Sequence, residues 1–477
     1  MKARPEVISR ILANPLTRAL LRALSRQRPD GGCELADIFA RYGRRDLTPR
    51  ERLRYAIPSA LIDAVTKLAG SSQEFVRDKV FAHKARARAL VATARSVGRY
   101  GLTRPQRFTS PLLVVWNFTQ GCNLHCVHCY QDARRRLPDE LGLDEQVQVL
   151  EVLWRNDVAM LALSGGEPMI SPTFWPLAQR AAEMGFHVSV ATNGTLIDRE
   201  AAHRLRDVGV KYVEISIDSV DQVTHDRFRG SPGYWRRAID GIRAVVPIEG
   251  VRVALAATIT TLNLNELEDL IRLAKELGCD CFYAFNFIPT GRGKDILNLD
   301  LSPAQREEML RILYQHMQND SITIITSAAQ LARYCVSQAD EGTVVNTGHY
   351  GHGRGGGAKL LSEYVGGCGA GRVYCAIQPN GVVTPCVFMP LPIGNILTDD
   401  FPRLWETHPV LELLRDRERR QGHCRVCDYK HYCGGCRARP YGYYGDLTMP
   451  DPGCIFNQEA WDKLQESSPT ALEPAAG

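Results

Sequence analysis

From about residue 111 to 287 the chain alternates short apolar runs with amphipathic ones, and this order limits its fold more than any other feature. Residues 112–117, 160–163, 188–191, 212–217, 251–259 and 281–287 read as strands. Residues 143–154, 197–207, 233–246 and 264–277 read as helices between them, with Ser171-Pro172 capping another. Strands alternating with helices predict a parallel sheet with right-handed crossovers. Six strands are too few for a closed eight-stranded barrel. The expected class is therefore α/β, a partial (β/α)6 barrel with its working loops at the strand C-termini.

The flanks have a different texture. Residues 1–105 read as a helical segment without alternating strands. Thr48-Pro49-Arg50-Glu51 is a capping box with proline at the first helical position, opening a helix towards Leu68. Leu16, Leu20 and Leu24 form one stripe, and Arg18, Arg22 and Arg26 another. Such a helix suits a partner or membrane surface, or is simply docked on its own protein. Ser302-Pro303-Ala304-Gln305 is a second capping box, starting a helix to about Gln318. The glycine-rich run 347–357 predicts a mobile loop or lid without regular structure. The expected organisation is a basic helical segment (1–105), a core barrel (111–300), a helix and glycine-rich linker or lid (301–367), a cysteine-rich domain (368–460) and a disordered tail (461–477).

Fifteen cysteines are unevenly placed. The first residues lack the apolar region of a secretory signal, and no apolar run reaches the length of a membrane span. The expected location is the cytoplasm, where thiols stay reduced. Cys33, Cys279, Cys281 and Cys335 are scattered and read as small buried hydrophobes. The other eleven cluster at short spacings, as soft metals and iron–sulfur clusters require. Cys122-x3-Cys126-x2-Cys129 directly follows the first strand. Three thiolates can ligate three irons of a cubane and leave the fourth for an exchangeable ligand; a three-ligand zinc site or a chance triad are the alternatives. Ser164-Gly165-Gly166-Glu167-Pro168 ends the second strand. Its glycines allow close backbone approach, and Glu167 can pair with an ammonium. Thr192-Asn193-Gly194 ends the third strand, and Glu214-Ile215-Ser216-Ile217-Asp218 the fourth.

In that order these motifs resemble the radical S-adenosylmethionine (SAM) superfamily. The resemblance implies a SAM-binding [4Fe–4S] cluster on Cys122, Cys126 and Cys129, and reductive cleavage of SAM to a 5′-deoxyadenosyl radical that abstracts hydrogen from a substrate. It implies that the motif Gly165, Gly166 and Glu167 holds the SAM amino group. Asn193, Ser216 and Asp218 become candidates for the SAM ribose and carboxylate.

The second cysteine field runs Cys368-x6-Cys375-x10-Cys386, then Cys424-x2-Cys427-x5-Cys433-x2-Cys436-x17-Cys454. Eight thiolates fit two fully ligated [4Fe–4S] clusters or two zinc sites. The field is similar to the SPASM extension of radical SAM enzymes, including the Gly381-x4-Cys386 turn. In that family the ligands interleave. One auxiliary cluster would take Cys368, Cys375, Cys386 and Cys436, the other Cys424, Cys427, Cys433 and Cys454. Cys433-Gly-Gly-Cys436 has one residue fewer between its cysteines than the commonest pattern. Closed clusters relay electrons or have a structural role, and a donor such as ferredoxin or flavodoxin is implied.

Cys433–Arg439, Tyr441–Asp446 and Asp451–Cys454 resemble two SPASM branches, enzymes of alternative heme and heme d1 biosynthesis and maturases of ribosomal peptides. His225–Gly230 (HDRFRG) is common to both and reads equally as a capped loop with arginine salt bridges. Because the first 105 residues lack the strands of a winged-helix peptide-binding domain, a tetrapyrrole-type small molecule leads over a peptide or lipid. A non-catalytic iron–sulfur electron carrier is the alternative of a different class. Arg354 is a candidate carboxylate anchor. Tyr130, His349, Tyr350, His352 and Tyr441 are candidate relays, with no acid or base assigned among them.

Residues 1–100 carry 21 Lys and Arg against 9 Asp and Glu, so a basic front precedes an acidic body. It suits an anionic lipid surface, an acidic substrate or that body itself. Without interleaved aromatic platforms it does not predict nucleic-acid binding. A peripheral membrane contact through these helices is the partner surface it suggests.

Overall fold

The computed structural model describes residues 5–28, 31–44, 46–68, 71–338, 344–346, 352–354 and 363–467. Six helices open the chain: α1 (Pro5–Ala13), α2 (Pro15–Leu24), α3 (Glu34–Arg41), α4 (Pro49–Leu68), α5 (Gln73–Phe75) and α6 (Lys84–Tyr100). The capping box of α4 forms as its sequence requires: Glu51 N–H donates to Thr48 Oγ1 and Thr48 N–H to the Glu51 carboxylate. Cys33, Leu35, Phe39 and Val91 form a small core of their own, with Leu24 and Ile62 against it.

The barrel strands are β1 (Leu113–Thr119), β2 (Met160–Gly165), β3 (His187–Thr192), β4 (Tyr212–Ser216), β5 (Arg252–Ile259), β6 (Cys281–Asn286) and β7 (Thr323–Thr326). They pair in that order, all parallel. Crossovers include α7 (Leu143–Arg155), α8 (Phe174–Met184), α9 (Arg199–Asp207), α10 (Gln222–Arg229), α11 (Tyr234–Val245), α12 (Leu267–Glu276) and α13 (Pro303–Asn319); α14 (Gln330–Gln338) follows β7. The Ser302–Gln305 capping box opens α13.

The sheet is larger than the six strands read from the sequence. β7 lengthens one edge with only four residues, too short a run to stand out. At the other edge β10 (Tyr374–Ile377), from the cysteine-rich region, pairs parallel with β1, and β11 (Val382–Thr384) and β12 (Gly394–Asn395) continue antiparallel. The sheet runs β12-β11-β10-β1-β2-β3-β4-β5-β6-β7 and does not close on itself. A second difference lies in the glycine-rich run. His352–Arg354 (β9) pairs antiparallel with Val344–Asn346 (β8), because a β-branched strand is available to hold it. The remainder of that run, with His349 and Tyr350, lies outside the described residues, as does the tail from 468.

Side-chain alternation divides each strand between two faces. Val114, Trp116, Phe118, Leu161, Leu163, Val188, Val190, Val213 and Ile215 are buried in the main core. The alternate positions, including Val115, Ala162, Ser189, Glu214 and Tyr283, face inward onto a cavity.

Candidate active site

The cavity has a volume of about 380 Å³ and opens under the loop that follows β1. Cys122, Cys126 and Cys129 all line it, at the C-terminal end of the strands. Two segments far away in sequence hold this loop. Val127 N–H donates to Phe228 O at 3.0 Å, and the Phe228 ring stacks on His128 with centroids 4.1 Å apart. Arg229 reaches Cys126 Sγ at 3.7 Å while its Nε donates to Asp218 at 2.5 Å. From the turn after β6, Arg292 donates to Cys126 O at 2.8 Å and to Asp132 at 2.6 Å. Gly291 lies against the Cys129 carbonyl at φ +57°, where a Cβ would collide with that oxygen. HDRFRG is therefore a helix ending in Gly230 whose arginine grips the cysteine loop. Its function was hidden because Asp218 and Cys126 approach Arg229 only through the sheet.

Among the described residues no three His, Cys, Asp or Glu side chains converge as a single metal ion requires. Three soft thiol ligands on one loop lining one cavity fit an iron–sulfur cluster that keeps one iron for an exchangeable ligand. Gly165 and Gly166 line the same cavity. Their lack of side chains admits the β1 backbone as well: a Cβ on Gly165, at φ +124°, would lie 2.6 Å from Thr119 O. Asn193 and Ser216 also face the cavity. The Asn193 amide is held, donating to Asn123 Oδ1 at 2.8 Å and accepting from Thr195.

Glu167 and Asp218 stand behind this wall. Glu167 is fully buried and accepts from Met169 N–H at 3.2 Å, Thr192 Oγ1 at 2.8 Å and Asn193 N–H at 2.9 Å. Burial pushes its carboxyl up to about 7 against those hydrogen bonds. Burial works the same way on Asp218, but Arg229 beside it prevails and holds the carboxyl below its usual range. Thr258 N–H also donates to Asp218 at 2.9 Å.

The cavity is also lined by groups to which the motifs assigned no role. Glu214 has no hydrogen-bond partner among the described residues, and burial raises its carboxyl to about 8. Asn286 is 2% exposed with both amide atoms unpartnered, and the Tyr212 hydroxyl is likewise unpartnered. Strand alternation alone pointed Glu214 inward, between Tyr212 and Ser216. Tyr130 donates to Asn117 Oδ1 at 3.1 Å and packs edge-on against Phe388 of the cysteine-rich region, 5.0 Å between centroids. Leu113, Val115, Met160, Phe285 and Ile288 make the remaining wall largely apolar.

The second cysteine field closes over buried ground. Cys375 is wholly buried on β10, and Tyr374 Oη donates to Cys386 Sγ at 2.7 Å. Cys386 neighbours Cys368 and Cys436, whereas Cys433 neighbours Cys424 and Cys454, and Cys427 neighbours Cys424. The backbone joins the two groups, with Cys368 N–H donating to Cys433 O at 3.0 Å. Arg439 and Arg306 converge on Asp300 at 2.6 Å each, fastening this field to the barrel.

Comparison with known proteins agrees with this geometry. Residues 116–289 match the radical SAM superfamily and residues 368–428 the SPASM iron–sulfur cluster-binding domain. The AdoMet-dependent heme synthase of Methanosarcina barkeri is 35% identical over 350 residues, covering 73% of this chain and 97% of its own. The pre-heme d1 synthase of Dinoroseobacter shibae is 31% identical (74% and 88% covered), and mycofactocin maturase MftC of Mycobacterium ulcerans 29% (75% and 91%). Among solved structures, Streptococcus suis SuiB bound to S-adenosylmethionine superposes with a TM-score of 0.62 at 16% identity, covering 89% of this chain and 93% of its own. With the first cysteine loop and the first part of the second field matched, and a relative 35% identical covered almost end to end, the chain belongs to the radical SAM superfamily and carries a SPASM domain.

Proposed function

We propose that this enzyme cleaves SAM beneath the Cys122–Cys129 loop and modifies a tetrapyrrole-type substrate in the cavity below it. The observation that carries the reading is one cavity shared by the three thiols, the Gly165-Gly166 turn and a largely apolar wall. Identity to a heme synthase supports the substrate class. When bound, the cluster supplies the electron that splits a carbon–sulfur bond of SAM. The chain's own residues position and shield. Gly165, Gly166, Asn193 and Ser216 face SAM directly, while Glu167 and Asp218 keep the turn and the Arg229 grip in place. Phe388 and Tyr130 close the cavity towards the SPASM domain and exclude water.

In this reading Cys368, Cys375, Cys386 and Cys436 hold one auxiliary [4Fe–4S] cluster. Cys424, Cys427, Cys433 and Cys454 hold the other, and a ferredoxin or flavodoxin supplies electrons. The neighbourhoods of Cys386 and Cys433 support this division. Three clusters require about twelve irons per chain.

The test is anaerobic turnover with dithionite, SAM and a propionate-bearing tetrapyrrole. Tetrapyrrole-dependent 5′-deoxyadenosine with a mass change in the tetrapyrrole supports the reading. SAM cleavage coupled only to a precursor peptide would move the chain to the maturase branch, and no SAM cleavage at all would leave an electron carrier.

A further inference from the structure

The amino-terminal helices use their charges unevenly. Arg88 and Arg95 pair with Asp157, and Arg99 with Glu406, so part of the basic excess meets the acidic body. Arg10, Arg22, Arg26, Arg50 and Lys67 have no anionic partner among the described residues. Helix α2 rests Arg22 on α6, where a Cβ on Gly98 would lie 3.0 Å from it, and of the leucine stripe Leu24 packs against the small core that includes Val91. Leu16 and Leu20 are thereby left outside, 81% and 44% exposed.

Helix α4 repeats the pattern. Leu53, Ile57, Leu61 and Val65 recur every fourth residue along one face, with Leu53 82% and Ile57 75% exposed. Ala56, Ala60 and Ala64 complete the face, and Arg50, Arg54 and Lys67 flank its ends. The carboxylates of α4 lie elsewhere on the helix, Glu51 bonded to Thr48 and Asp63 to Tyr42. Helix α1 packs against both α2 and α4 and adds exposed Val7 and Ile11. Scattered exposed leucines are ordinary, but large apolar side chains gathered on three adjoining helices mark an interaction surface.

We propose that this face docks on an anionic lipid bilayer, its apolar side chains in the headgroup layer and the unpaired Arg50 and Lys67 towards the lipid phosphates. Charge favours a bilayer over a protein partner, because Arg50 and Lys67 flank the apolar ridge of α4 with no carboxylate partner among the described residues, although Arg54 between them is paired with Glu34. The proposal is independent of the substrate reading, although an apolar cavity also suits an enzyme stationed where apolar molecules partition. The family match begins only at residue 116, so the catalytic domain does not account for this surface.

The test is co-sedimentation of the full-length, cluster-loaded protein with phosphatidylglycerol-containing vesicles and with pure phosphatidylcholine vesicles. Binding should favour the anionic vesicles and weaken with added salt. Leu53→Glu, Ile57→Glu and Leu61→Glu together should reduce it at least about tenfold, with substrate-free SAM cleavage unchanged. A charge-only variant, Arg50→Glu with Lys67→Glu, should reduce anionic-vesicle binding while leaving the apolar ridge intact, which guards against misfolding of the first. No vesicle binding by the parent protein would overturn the proposal, as would a parent dimer that the triple variant makes monomeric.

Discussion

The loop bearing Cys122, Cys126 and Cys129 and the field bearing the other eight clustered cysteines differ in how their buried arginines are balanced, although Arg439 of the second field also pairs with Asp300 and Asp451. The two arginines that grip the loop each have a carboxylate: Arg229 pairs with Asp218 and Arg292 with Asp132. The thiols face an open cavity. In the second field Arg417, Arg420 and Arg437 are buried, and none forms an ion pair among the described residues. Arg420 donates to the carbonyls of Leu413 and Leu414, Arg437 to those of Gly435, Leu447 and Met449. Arg437 also approaches Cys424 Sγ at 3.9 Å, and Arg417 neighbours Cys368, Cys433 and Cys424. Buried cations require a counter-charge, and thiolate-ligated iron–sulfur clusters would supply it. On the proposed reading, the contrast separates a site for an exchangeable ligand from a closed one whose buried arginines balance cluster charge.

The strongest way to break this contrast is to remove the open site. Cys122→Ala, Cys126→Ala and Cys129→Ala combined should abolish 5′-deoxyadenosine formation yet leave about eight irons per chain. Iron analysis and product chromatography on one anaerobic preparation check this. Persistent cleavage would mean the two regions have been given each other's roles.

Glu167→Gln probes the wall of the open site. The carboxylate accepts from two backbone N–H groups and a hydroxyl, and a glutamine cannot reproduce that set. SAM affinity should fall roughly tenfold to a hundredfold with iron content unchanged. Normal affinity in fully loaded protein would show that SAM binding does not depend on the turn this carboxyl holds.

Arg417→Gln probes the closed site. A buried cation favours the reduced, more negative cluster, so its loss should lower one auxiliary potential by about 60 mV, one decade for a one-electron couple. The SAM-binding cluster should not shift. An EPR-monitored redox titration distinguishes the two.

The smallest effect concerns Glu214. Burial raises its carboxyl from 4.5 to about 8, so the folded protein holds a proton that the unfolded chain has released between those values. Its contribution to stability is fully present below 4.5 and declines as pH rises towards 8. Glu214→Gln should remove that decline, a relative gain of about 1–2 kcal/mol above the raised value, discounted because the side chain borders the cavity. Thermal melts across the range check it.

Much of this protein follows from local sequence. The strand order β1 to β6, the α4 and α13 capping boxes and the cysteine spacings are short-range patterns of periodicity, hydrogen-bonding side chains and covalent neighbours. That residues 1–105 would be helical without strands was legible for the same reason. Other features belong to tertiary structure alone, because they join residues far apart in the chain. β10 completes the sheet beside β1 although some 260 residues separate them, and no local pattern announces parallel pairing at that range. Arg229 and Arg292 hold the Cys126 region only because β4 and β6 end beside β1's loop. Folding left Glu214 and Asn286 facing a cavity without partners. It also turned α2 so that Arg22 rests on Gly98 while Leu16 and Leu20 face outward. The α2 sequence contains both stripes and favours neither, since burial depends on which neighbour arrives.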